Sequence, residues 1–230
     1  MATVPDELAD VDYADADESA VLAPLPAPLA TWPPVGSLLR LSVAQYDRMI
    51  ELGILDTDDQ AELIEGLVVK KMTKGPTHED IAGAIHDRLH ELKTLDKLKH
   101  DRERCRVKKE GPLSLPAQAS EPEPDVMLLV GDRSRYVSRH PEAADTLLVV
   151  EVADTSLAKD RRLAAIYAAA GVPRYLLVDV ATRTMTLHEQ PAAEGYAEVR
   201  KVDVVPVAVD GEELGVLTTA DVFPPEPNTA

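Results

Sequence analysis

The sequence predicts an α/β domain in which a central mixed β-sheet is flanked by helices. Three observations carry that prediction. Two continuous apolar runs, TLLVVEV at 146–152 and RYLLVDV at 174–180, lack the polar alternation of a half-exposed strand and read as strands covered on both faces. The residues between them have helical spacing, with Leu163, Ile166 and Tyr167 apolar and Gly171 as the stop, so strand, helix and strand form a right-handed parallel crossover. Beyond a short turn at Ala181-Thr182, RTMTLHE pairs back on the second strand and makes the sheet mixed.

The remaining elements follow in order. Ser42 is an N-cap for a helix with Val43, Tyr46, Met49 and Ile50 at helical spacing, ended by Gly53. AELIEGLVVKKM reads as two strands around a turn at Glu65-Gly66. Thr77 is the expected cap of a second helix, with Glu79 and Asp80 in its first turn and a stripe of Ile81, Ile85, Leu89, Leu92 and Leu95. A strand is expected around Arg104–Val107, and a Pro-rich loop from Ser120 to Glu123 leads into the strand PDVMLLV. The segments AEVRKVDVVPVAV and LGVLTTADVF supply peripheral strands and a closing turn. Residues 1–36 are rich in Ala, Pro and acid and are expected to be a disordered or loosely docked arm. Residues 37–223 make one domain, and 224–230 a flexible tail.

Composition narrows the class. Aromatics are only 3% of the 230 residues, so the core is built from Leu, Val, Ile and Ala. A single cysteine, Cys105, excludes an internal disulfide and fits a reducing compartment. No apolar run approaches membrane-span length and the acidic N-terminus lacks a signal-peptide start, which together predict a cytoplasmic protein. The net charge of −17 is unevenly spread. Residues 1–18 hold seven acids and 203–230 six, with no Lys or Arg in either, leaving 28 acids against 24 bases between them. Eight bases crowd into 93–109, and Lys70, Lys71 and Lys74 form a second cluster, so the total does not exclude a nucleic-acid-facing surface.

The chemistry-bearing signal is a set of acids in apolar surroundings. Asp125 opens one buried strand, Glu151 interrupts the next, and Glu65 follows Leu63-Ile64. An unpaired charge in such a place costs several kcal/mol, so the acids must bind a cation or pair with a base. Three of them on strands that lie side by side suit a hard, oxygen-preferring ion such as Mg²⁺. Two acids sharing such a site repel each other, which predicts that removing either charge relieves strain in the metal-free fold. His86 and His90, spaced i, i+4 around Asp87, superficially resemble a zinc-protease motif, but no third ligand stands at a fixed offset and they read as boundary histidines.

With those residues in place, the chain resembles the Uma-two family of restriction endonuclease-like proteins, within the PD-(D/E)XK nuclease superfamily. The resemblance runs from about Leu41 to Phe223 and rests on LSVAQYDRMIELGIL, AELIEGLVV, GPTHEDIAGAIHDRL, EPEPDVMLL and VVEVADTSLAKDRRLAAIYAAAGVPRYLLVD, in that order. It implies a restriction-endonuclease-like core and Mg²⁺- or Mn²⁺-dependent hydrolysis of DNA by a homodimer. Residue by residue, it implies Asp125 and Glu151 as metal ligands and Glu65 as the acid that completes the site. The superfamily pattern places a lysine two residues after the glutamate, where this chain has Ala153, and many relatives place one a turn before the helix tyrosine, where it has Leu163. Lys159 is the expected substitute, because a buried lysine can shed its proton and an arginine cannot. The rival expectation, raised by the displaced lysine and the acidic arms, is an inactive descendant that binds nucleic acid or a protein partner.

Overall fold

In a computed structural model of the chain, residues 38–56, 58–71, 73–154 and 157–223 are described, without the side chains of 157, 158 and 160. The expected arm at 1–36 and tail at 224–230 lie outside these residues. The sheet has six strands in the order β3 (Cys105–Lys109), β4 (Val126–Val130), β5 (Thr146–Ala153), β6 (Arg174–Asp179), β7 (Thr184–Ala192) and β8 (Gly195–Val202). Only β5 and β6 pair in parallel, and both are interior, as their unbroken apolar character predicts.

Strand alternation distributes the core between two layers. Val126, Leu128, Val150, Leu176 and Val178 face one way and meet Ile81, Ile85, Leu89 and Leu92 of α2 (Pro76–His100). Met127, Leu129, Val149, Tyr175 and Leu177 face the other way and meet Leu163, Ile166 and Tyr167 of α3 (Leu157–Ala170). Beyond α2 lies a ribbon of β9 (Val204–Val209) and β10 (Glu212–Thr218), whose Val205, Val207 and Leu217 join the first layer, followed by the short helix α4 (Thr219–Val222). Among the described residues, no helix is long and apolar enough to cross a membrane.

The front of the chain folds over the sheet end. In α1 (Val43–Glu51), Ser42 and Gln45 form a reciprocal capping box. The hairpin of β1 (Ala61–Ile64) and β2 (Leu67–Lys70) turns on Glu65 and Gly66, both at positive φ (50° and 80°), the conformation that matches strand twist in a two-residue turn. Gly66 has a second reason to lack a side chain: a Cβ there would stand 2.5 Å from that of Arg40.

Two local expectations are corrected. The α2 cap is Gly75 rather than Thr77, because Pro76 takes the first helical position with its pre-set φ. Leu95 is 53% exposed. The inward position after Leu92 is Asp96, buried in an ion pair with Arg104 that depresses its carboxyl through the guanidinium hydrogen bonds. The basic run is thus a helix end followed by an edge strand, with Lys93 and Lys97 on Glu103 and Lys99 on Glu212. His86 and His90 stack with ring centroids 6.0 Å apart, one half-buried and one exposed. Cys105 is buried and free, and burial pushes its thiol up to about 11.

Beneath α1, Glu121 is 3% exposed, and burial, followed by the charge of Asp47, pushes its carboxyl up to about 7 from an ordinary value of 4.5. A raised acid binds its proton more tightly in the folded state, so stability falls as pH rises from 4.5 to 7 and then levels off. The loss amounts to about 3 kcal/mol at 1.4 kcal/mol per pH decade. Glu121→Gln, which cannot ionise, should therefore be more stable than the parent by up to about 3 kcal/mol at pH 8 and nearly equal to it at pH 4.5. Urea denaturation at the two pH values measures both differences.

Candidate active site

The antiparallel register of β4 and β5 sets the site. Val126 faces Val150, so Asp125, one residue ahead, and Glu151, one residue past, come side by side at the same end of two adjacent strands. Alternation turns Glu151 toward α3, away from the layer that holds Val150 and Val152. There the Tyr167 hydroxyl donates to Glu151 Oε1 at 2.7 Å. Tyr167 is fully buried, and burial, followed by the Glu151 charge and hydrogen bond, holds its phenol well above the usual value. The phenol thus remains a donor at any working pH.

Asp125 is 3% exposed and accepts from three directions. The Val152 amide donates to Oδ2 at 2.8 Å, His78 Nε2 lies 3.1 Å from the same oxygen, and Lys74 Nζ stands 2.8 Å from Oδ1. Burial alone would raise this carboxyl, but the His78 hydrogen bond and the Lys74 charge outweigh it and hold it below the usual carboxylate range. Lys74 also reaches Glu110 at 3.0 Å. Desolvation works against its charge, yet Asp125 and Glu110 raise its proton affinity above the ordinary lysine value.

The third acid is Glu62. It is 3% exposed on β1, forms an ion pair with Lys159, and accepts from the Glu123 amide at 3.4 Å. Glu62 and Glu151 both push the Tyr167 phenol up, so they bear on the same side of the site. Glu65 stands three residues further on, in the hairpin turn, where Arg162 grips it with two hydrogen bonds, one of them 2.7 Å. Asp125 and Glu151 are therefore brought together, and Lys159 points at Glu62 rather than at either of them. Ala153 and Leu163, at the two positions where the family pattern has a lysine, are buried in the α3-side layer. Sequence reading missed Glu62 and Lys74. Lys74 carried no periodic signal, because it lies in the loop before the Gly75 cap, outside the helix that carries His78.

The donor set fits a hard divalent ion in kind: paired carboxyl groups on adjacent strands, with a lysine ammonium already resting on one of them as a cation. Among the described residues no three His, Cys, Asp or Glu side chains converge closely enough to form a preassembled centre. The expected relief of repulsion on removing either charge is corrected for Asp125, whose charge is matched by Lys74 and whose Oδ2 is within hydrogen-bond distance of His78. Because its folded value is depressed, its stabilisation is full above the ordinary carboxylate range and fades as pH falls through the lower folded value. Asp125→Asn should cost about 2 kcal/mol at pH 7, discounted from a fully buried pair because Lys74 is partly exposed. In urea melts the gap should narrow below pH ~4.

Residues 43–217 match the model of the Uma2 family, described as "Putative restriction endonuclease". The fold is similar to the crystal structure of a "putative nuclease belonging to DUF820" from Anabaena variabilis, with a TM-score of 0.53 and 18% identity, covering 75% of this chain and 94% of that one. No curated protein matches the sequence. The family match spans well over half of the chain, from α1 through β10, and so covers the whole six-stranded mixed sheet and its crossover helix. The chain belongs to the Uma2 family of restriction endonuclease-like proteins.

Proposed function

We propose that this chain is a metal-dependent endonuclease that hydrolyses DNA phosphodiester bonds, with Asp125 and Glu151 as ligands of Mg²⁺ or Mn²⁺. The observation that carries the reading is the pair of buried acids, side by side at one sheet end, in a chain of nuclease family and fold. Bound there, the ion would polarise the phosphate and lower the pKa of a water.

The chain's own residues account for the rest. His78 and the Val152 amide hold Asp125 Oδ2 in place, and Tyr167 fixes Glu151 Oε1. Lys74 keeps its proton, so its part is to offset negative charge on the phosphate rather than to act as a base. Lys159, held by Glu62, is the group that orients the water, and Glu62 takes the place expected of Glu65. Glu65 assists from the rim by tying the hairpin to Arg162 of α3. The reading carries with it a homodimer acting in the cytoplasm.

One observation favours the rival: both Asp125 oxygens already accept from the chain's own donors, which suits a non-hydrolysing protein that binds nucleic acid or a protein partner. Plasmid cleavage separates the two. Nicking that requires Mg²⁺ or Mn²⁺ is expected, with a loss of about a thousandfold in Glu151→Gln and about a hundredfold in Lys74→Met, in the range of lost electrostatic stabilisation. Mg²⁺ should also raise the melting temperature of the parent but not that of Glu151→Gln, since a ligand stabilises only through the state it binds. No cleavage, together with DNA binding indifferent to Glu151, would establish the rival.

A further inference from the structure

A groove with no part in that chemistry runs along α1. It has two lobes, of about 600 and 610 Å³, between the helix and the segments 112–123 and 136–142, and Ile50, Glu121 and His140 line both. Each lobe is large enough for a small molecule. Neither Asp125 nor Glu151 reaches it. Glu121 is its buried polar group: 3% exposed, with an Oε2 that has no hydrogen-bond partner. A buried acceptor left unpaired is costly and uncommon, and marks a place where a donor is wanted.

The surroundings specify the donor. Asp47 of α1 and Glu123 bear on Glu121 with like charge, and Glu142 lines the same groove. The basic groups that line the groove are engaged or neutral. Lys71 is bound to Glu123 at 2.6 Å, Arg139 is bound to Asp145, and burial favours the neutral form of His140. Lys108 of β3 attracts Glu121 but forms no ion pair with it among the described residues. An anion would meet these acids, and Lys108, the nearby cation without an ion pair among the described residues, lines neither lobe. A metal ion is poorly served too, since no three suitable side chains converge there among the described residues. The walls are partly hydrocarbon: Ile50 is 46% exposed and Val137 76%.

We propose that this groove binds a small aliphatic amine, with its ammonium on Glu121 Oε2 and its hydrocarbon stem along Ile50 and Val137. The assignment is independent of the nuclease reading.

Titration calorimetry of the full chain with hexylamine at pH 8 tests it. Saturable one-to-one binding is expected, weakened at least tenfold by Glu121→Gln. That variant removes one charge from a net −17, so diffuse attraction of cations would hardly change, and a tenfold loss reports the site. Glu121→Gln removes a buried charge rather than a packing group, so the variant is expected to fold. At pH 7 binding should release about half a proton, because Glu121 is half protonated when free and ionised when paired. The measured heat should therefore vary with the buffer's ionisation enthalpy in the parent and not in Glu121→Gln. Absence of saturable binding, equal affinity in the variant, or hexanoate binding as well as hexylamine would each overturn the proposal.

Discussion

The Asp125 carboxylate is the point on which the arrangement of strands and helix depends. It accepts from β5 through the Val152 amide, from the first turn of α2 through His78, and from the loop ahead of that helix through Lys74. A buried carboxylate is tolerable only with such donors, so burying it fixes where all three segments lie. At the far end of the 25-residue helix, Asp96 is bound by Arg104 at the threshold of β3. The helix is thus anchored on buried carboxylates at both ends, with an apolar stripe against the sheet between them.

Much of this was legible in the residues. The buried strands could be read because both faces of β5 and β6 are covered, which leaves no polar alternation in them, and the Glu65-Gly66 turn because few residues other than glycine accept its backbone. The α2 start was harder, since a helix capped by Gly75 offers no side-chain signal. The hairpin acids were ambiguous for a plainer reason. AELIEG carries two glutamates three apart, each flanked by apolar residues, and only the end of the strand decides that Glu62 turns inward while Glu65 caps the turn. Lys74 could not be placed on Asp125 at all, because fifty residues of chain separate them.

The segment EPEPD shows how little residue type alone decides. Glu121, Glu123 and Asp125 stand two apart on one extended stretch, each followed or preceded by proline. Glu123 is bound by Lys71 and lends its amide to Glu62. Asp125, met by a lysine, a histidine and an amide, is held below the ordinary carboxylate range, whereas Glu121, buried with like charges nearby, is pushed far above it. The two acids differ by their donors, not by their burial.

The ion pairs at the end of α2 carry a consequence for any polyanion this protein meets. Lys93, Lys97, Lys99 and Arg104 are engaged by Glu103, Asp96 and Glu212, so the fold supplies their counterions itself. A nucleic acid gains affinity by freeing mobile ions, and carboxylates tethered to the chain cannot diffuse away when displaced. Contact made through this cluster of four bases therefore wins little translational entropy. A phosphate backbone approaching it trades one covalently held anion for another, and that exchange changes little as the surrounding salt is diluted.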